Sequence, residues 1–153
     1  MLIPREADSE DYKSLRSFDC SPLTAMWQLE VRSLLRDLEL WRETVDRHVL
    51  VFREPDSEDI AAVLAYRDLL PGYSNSGFFV YALAVDARFR RKGYGTTVLA
   101  AALESFSCKC PGCRVTWLVH QDNEPCIALS ERFGVAAEPS SEHPDYLVLS
   151  TTV

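Results

Sequence analysis

Residues 78–106 read FFVYALAVDARFRRKGYGTTVLAAALESF. Phe78 to Val85 is an unbroken apolar run of β-forming residues without Gly or Pro, which predicts a buried strand. Arg90-Arg91-Lys92-Gly93-Tyr94-Gly95 then sets three cations beside two glycines, a composition suited to a tight turn. From Thr96 the apolar spacing changes, and Val98, Leu99, Ala102, Leu103 and Phe106 fall on one helical face. A strand feeding such a turn into a helix N-terminus is built to hold an anion. The first N–H groups of a helix have no partner within it, the positive end of its dipole lies there, and nearby cations attract phosphate.

On the N-terminal side, Leu2 and Ile3 predict a short first strand stopped by Pro4. Asp8 or Ser9 caps a helix whose apolar side is Tyr12, Leu15 and Phe18, broken at Asp19-Cys20-Ser21-Pro22. Leu23 to Val45 carries Trp27, Val31, Leu34, Leu35, Leu38 and Trp41 at helical spacing, a core-facing stripe rather than a substrate surface. His48 to Phe52 and Ile60 to Tyr66 predict an antiparallel hairpin turned at Glu54 to Asp59. Asp68 to Gly77 is rich in Pro, Gly, Ser and Asn and predicts a loop.

On the C-terminal side, Ser107 to Gly112 predicts a tight connection and Val115 to Val119 a buried strand. Gln121-Asp122-Asn123 introduces a helix from about Pro125 to Phe133, ended by Gly134. Val135 to Ala137 and Tyr146 to Thr151 predict a last pair of strands. This order implies one mixed α/β domain over 1–153, with Phe78 to Val119 forming a right-handed parallel crossover.

The 153 residues suffice for a sizeable core, and 47% hydrophobic with 25% charged residues is ordinary for a globular chain. A net charge of -7 argues against nucleic acid as a partner and favours cationic ones such as an amine or a basic peptide. The N-terminus lacks a basic and an apolar leader region, no apolar run approaches membrane-spanning length, and the expected location is the cytoplasm. The five cysteines are read as reduced thiols. Cys108-x-Cys110-x-x-Cys113 has thiolate spacing that suits zinc, but a fourth ligand must come from Cys126, His120 or His143, and no metal is expected. His48, His120 and His143 form no metal motif, and Ser, His and Asp form no nucleophile motif.

The turn resembles the GNAT superfamily of N-acetyltransferases, whose signature [QR]-x-x-G-x-[GA] is matched by Arg90-Arg91-Lys92-Gly93-Tyr94-Gly95. Ala82-Leu83-Ala84-Val85-Asp86 is similar to the family's strand end. Asn123, Ile127, Leu129, Glu131, Arg132, Phe133 and Gly134 are similar to its N-x-x-A-x-x-L-Y-E-K-x-G-F helix. The resemblance implies a mixed α/β sheet of six to seven strands flanked by about four helices, and acetyl-CoA as acyl donor. It implies that the backbones of Leu83 and Val85 pair with the pantetheine like an added strand. Arg91, Lys92, Gly93, Tyr94, Gly95 and Thr96 would surround the pyrophosphate, with Arg90 at the signature's first position and Asn123 on the pantetheine arm. The implied reaction is direct transfer to a primary amine of a small molecule or peptide. The neutral amine attacks the thioester, and an N–H of Val85 or Leu83 holds the oxyanion. A homodimer is left open.

Two positions depart from the family pattern. Ser130 stands where the family usually carries the tyrosine that protonates the departing thiolate, which makes Ser130 the tentative catalytic residue at that site. Tyr94, Tyr81 and Tyr146 are the alternative phenols. Phe78 to Val85 also lacks the carboxylate that serves some members as base, and Glu30, Glu39, Asp68, His120 or a water chain remain as candidates. These departures keep open a catalytically silent acyl-CoA-binding module of the same fold. Phe18-Asp19-Cys20 before a Trp-bearing helix is weakly similar to toxins that acetylate aminoacyl-tRNA, which the net charge disfavours. A nucleotide-binding α/β protein lacks both G-x-x-x-x-G-K-[ST] and a full G-x-G-x-x-G.

Overall fold

In the computed structural model, which describes residues 4–19, 46–69 and 77–153, the apolar run at 78–85 belongs to the fourth of seven strands. The elements are β1 (Pro4–Glu6), α1 (Ser9–Ser14), β2 (Arg47–Arg53), β3 (Ile60–Leu69), β4 (Gly77–Val85), α2 (Tyr94–Lys109), β5 (Arg114–His120), α3 (Glu124–Glu131), β6 (Ala136–Pro139) and β7 (Tyr146–Thr152). Hydrogen bonding orders the strands β1-β2-β3-β4-β5-β7-β6 in a mixed sheet. The β4–β5 pair is parallel, as the strand–helix–strand unit predicts, and β1–β2, β5–β7 and β6–β7 are antiparallel. Three α-helices lie among the described residues, against about four expected. The expected Leu23 to Val45 helix, Leu2 and Ile3, and residues 70–76 of the predicted loop lie outside them.

The chain divides into two compact units, residues 1–66 with 82–101 and residues 67–81 with 102–153. In the first, Asp8 caps α1 by accepting the N–H groups of Glu10 and Asp11, and Asp11 returns the bond to the Asp8 N–H at 2.9 Å. Asp11 is fully buried and carries its charge between the guanidinium groups of Arg5 and Arg53. Tyr12 and Leu15 pack with Val49, Val51, Ile60, Val63, Ala65 and Ala84 in one apolar cluster, and Phe18 is partly buried against it. Among the described residues the first strand begins at Pro4 and continues to Glu6 instead of stopping at the proline. β1 lies at the sheet edge, where a residue without an N–H breaks no ladder on its outer side.

In the second unit, β5 alternates strictly: Val115, Trp117 and Val119 are buried, whereas Arg114 and Leu118 are exposed. Phe78 stacks on Phe106 with ring centroids 4.3 Å apart. β4 begins at Gly77 (φ +146°), and a Cβ there would fall on the carbonyl oxygen of Arg114 in the neighbouring strand. The predicted connection at Ser107 to Gly112 is shorter than expected, because α2 continues through Lys109. The turn that follows brings Cys110 and Cys113 to a Cα separation of 5.5 Å with their sulfurs at bonding distance. This pair corrects the expectation of reduced thiols throughout, whereas Cys108 and Cys126 are free. Among the described residues no helix is long and apolar enough to cross a membrane.

Candidate active site

The junction between β4 and α2 is held from several directions at once. Asp86 follows the last residue of β4, is fully buried, and caps the 3-10 turn Ala87–Phe89 by accepting the Arg88 N–H at 2.9 Å. Its carboxylate also accepts the Asp19 N–H at 3.0 Å and two nitrogens of the Arg88 guanidinium. Burial works to raise the pKa of Asp86, but the Arg88 guanidinium and the N–H groups of Asp19 and Arg88 outweigh it, and the group sits below the usual carboxylate range. Arg88 additionally lies 3.6 Å from Asp59, on the turn between β2 and β3.

Beyond Arg88 the turn is built on Phe89, which is buried. The Lys92 ammonium lies 5.1 Å from the Phe89 ring centroid and 6.0 Å from that of Tyr94. Arg90 folds back, and its Nε donates to the Val85 carbonyl at 3.1 Å. Of the two Val85 backbone groups assigned to pantetheine, the carbonyl therefore already has a partner within the chain. Arg91 and Gly93 adopt left-handed φ values of 62° and 79°. At Gly93 a Cβ would meet nothing within 4 Å, so this glycine serves backbone conformation and not close packing within the chain.

The first helical bond of α2 runs from the Thr97 N–H to the Gly93 carbonyl at 3.1 Å, so the N–H groups of Tyr94, Gly95 and Thr96 precede the ladder. No acidic residue occupies the first turn. The residue before the helix is Gly93, which has no side chain with which to cap it. Leu83, Val85 and Arg90 to Thr96 thus lie on one continuous strand–turn–helix segment whose helix end points unfilled N–H groups outward. The Tyr94 hydroxyl donates to the Glu54 carboxylate, and this bond, with burial and the Glu54 charge, raises its pKa above the ordinary phenol value.

Asn123 and Ser130 belong to the second unit. Asn123 is the N-cap of α3, its Oδ1 accepting the Cys126 N–H at 3.3 Å, which leaves the carboxamide nitrogen as its donor end. Ser130 is buried, and its hydroxyl donates back to the Cys126 carbonyl at 2.8 Å. Burial pushes the Cys126 thiol up, partly offset by its bond with Ser130. The other candidates for proton transfer are spread over the strands. Tyr81 is exposed on β4 with its ring edge-on to Phe79, and Tyr146 lies edge-on to His120 at a centroid distance of 5.2 Å. His120 Nδ1 lies 3.2 Å from the Asp122 N–H and 3.7 Å from the Asp122 carboxylate. Asp68 lies in β3, and Glu30 and Glu39 lie outside the described residues. Among the described residues no group of three or more His, Cys, Asp or Glu side chains is arranged to hold a metal.

Two residues that shape the junction escaped the sequence reading. Asp86 carried a usable signal, since Asp directly after an apolar strand and before a turn is a capping residue. Glu54 carried none, because its partner Tyr94 is 40 residues away.

The family model for the acetyltransferase (GNAT) family matches residues 12–135, and the chain belongs to that family. No curated protein matches it in sequence. Solved structures share its fold at low identity. PaiA N-acetyltransferase from Thermoplasma acidophilum, in complex with coenzyme A, superposes with a TM-score of 0.76 at 13% identity, covering 100% of this chain and 99% of that one. A GNAT-family acetyltransferase from Desulfovibrio desulfuricans gives 0.72 at 16% identity over 100% and 98%. The ribosomal-protein-S18-alanine N-acetyltransferase of Escherichia coli gives 0.72 at 13% identity over 100% and 94%.

Proposed function

We propose that this chain is an N-acetyltransferase that carries an acetyl group from acetyl-CoA to a primary amine, acting as one domain. The observation that carries the reading is the open N-terminus of α2, where the N–H groups of Tyr94, Gly95 and Thr96 follow a left-handed Gly93 and three cations. Such an end favours the pyrophosphate of CoA through fixed N–H dipoles that need no reorganisation on binding. Arg90, Arg91 and Lys92 add charge, and the pantetheine runs beside Leu83 and Val85. Because the Val85 carbonyl is bonded to Arg90, the Val85 N–H is the group offered to the donor and to the oxyanion that forms on the thioester carbon.

The acceptor ammonium, with an ordinary pKa near 10, must lose a proton before it attacks. The candidate bases are Glu30, Glu39, Asp68, His120 or a water chain. The CoA thiolate is a good leaving group, since thiols ionise near 8.5, so its departure asks little of an acid. Ser130, at the position of the family's acid, has its hydroxyl proton directed at the Cys126 carbonyl, which supports a packing role instead.

The same observation on Ser130, with the absence of a carboxylate from β4, favours a second reading as a silent acyl-CoA-binding module. One experiment separates the two. Acetyl-CoA is incubated with the protein and a panel of polyamines, aminoglycosides and peptides with free N-termini, and thiol release is followed. Release dependent on one acceptor class is the expected result. Tight CoA binding without release for any acceptor would favour the silent module.

A further inference from the structure

The Asp86 carboxylate is buried, charged and unused by the chemistry above. It receives the Asp19 N–H, the Arg88 N–H and the Arg88 guanidinium, and its own N–H donates to the Ala61 carbonyl at 2.9 Å. The neighbouring Ala87 N–H donates to the Asp19 carbonyl at 2.7 Å. Asp19 is thus bonded through both of its backbone groups to Asp86, 67 residues later in the chain, and to its neighbour Ala87. A capping residue for a 3-10 turn needs only the local bond to Arg88. The two bonds to Asp19 tie a distant part of the backbone to the first residues after β4.

We infer that Asp86 is a positioning residue that couples donor binding to the anchoring of the chain at Asp19. The inference rests on the donor-turn reading above. Its physical content is a shared set of bonds. CoA that settles on the turn restrains Val85 to Thr96 and hence Asp86 and Ala87, and the same bonds then hold Asp19 more firmly. By reciprocity, loss of the Asp19 bonds leaves the turn less ordered before binding and weakens the donor's hold. The acting groups are backbone amides at Asp19 and Ala87 and one side chain, so a substitution at Asp86 removes the side-chain half of the coupling without touching the ligand.

The test uses the full chain and CoA alone, with calorimetry for affinity and amide hydrogen exchange for order. In the wild type, CoA slows exchange at Asp19 and Ala87. Asp86→Asn, which keeps an acceptor but loses the ion pair, weakens CoA binding about tenfold, and Asp86→Ala about a hundredfold. In both variants the response of Asp19 to CoA shrinks while the protein stays folded at the assay temperature, a readout that a merely stabilising role would leave in place. If Asp86→Ala does not fold, Asp86→Asn carries the test. Wild-type affinity in a folded Asp86 variant, or a wild type whose Asp19 exchange ignores CoA, overturns the proposal. Gly95→Val separates the two levels. If Gly95→Val loses CoA while the Asp86 variants keep it, the positioning role fails and the donor turn stands. If Gly95→Val binds CoA normally, the donor turn fails and takes the positioning role with it.

Discussion

Val85 to Tyr94 and His120 to Glu124 both carry the chain from a strand into a helix, and both must dispose of N–H groups that the helix ladder leaves over. After β5 the chain disposes of them itself: Asn123 turns its carboxamide oxygen onto the Cys126 N–H, and Pro125 enters the first turn with no N–H to satisfy. After β4 it does the reverse. The residue before α2 is a glycine, the first turn holds no acid, and several polar side chains of the segment are spent elsewhere. Asp86 goes to Asp19 and Arg88, Arg90 to Val85, and Tyr94 to Glu54. The difference teaches that a ligand-binding helix end is recognised by what the neighbouring residues decline to do. On the proposed reading, the rigid frame around the uncapped end of α2 preforms it for an anion, whereas the capped end of α3 spends a leftover N–H on Asn123.

The largest effect expected from this contrast comes from closing the open junction. Gly95→Val or Gly93→Val should weaken CoA binding by about a hundredfold or more, in the first case by obstructing the phosphate and in the second by straining a left-handed backbone, as read by calorimetry. Unchanged affinity in both would erase the distinction between the two helix ends. A subtler intervention gives the open end a cap-like charge of its own. Thr96→Glu should leave thermal stability equal or slightly higher, because a carboxylate suits the dipole, yet weaken CoA binding about tenfold by repelling phosphate. Stability and affinity moving together would contradict that account.

At the closed junction the expectations invert. Asn123→Ala should cost about 1 kcal/mol of stability in chemical denaturation, the ordinary worth of an N-cap. Asn123→Asp keeps a capping oxygen and loses the donor nitrogen, so it should retain stability while weakening CoA binding a few-fold if the carboxamide reaches pantetheine.

Acid should separate the junctions as well. The Asp86 pKa is lowered on folding, so its contribution is present above the unfolded value near 4 and is lost as pH falls through the lowered folded value. Amide exchange at Ala87 and Arg88 is expected to rise in that acid window before exchange at Cys126 and Ile127 does. The smallest effect belongs to Ser130→Ala. Removing one back-bond inside α3 should change stability by less than about 1 kcal/mol and barely alter turnover. A large fall in kcat with CoA affinity intact would return Ser130 to the chemistry.

Much of this was legible in 78–106 alone. Its change from a continuous apolar run to helical spacing located β4, the turn and α2, and Gly93 marked one left-handed position, whereas the other, Arg91, carried no such signal. What stayed hidden depends on distance along the chain. Pro4 reads as a strand stop unless its strand is known to lie at an edge, and edge position is a property of the whole sheet. Ser107 to Lys109 is polar enough to suggest a connection, yet those residues extend α2, because the first helix-breaking residue is Pro111, which bars only Cys110 before it from the helical region. The Cys110–Cys113 pair depends on a turn geometry that composition does not reveal. The proton-transfer groups are hidden for a different reason. They have no fixed spacing, since acids and bases converge on a substrate from separate strands.

Gly77 has a consequence for how this chain could fail to fold. Side chains on a strand alternate, so a one-residue slip of β4 against β5 would turn Phe78 away from Phe106 and send every apolar contact of the strand to the wrong side. An all-apolar strand has little patterning of its own with which to resist such a slip. The close approach to the Arg114 carbonyl supplies the resistance, because only the residue without a Cβ fits there, and any other register would bring a side chain onto that oxygen. The one position of β4 with no side chain thereby acts as its registration mark.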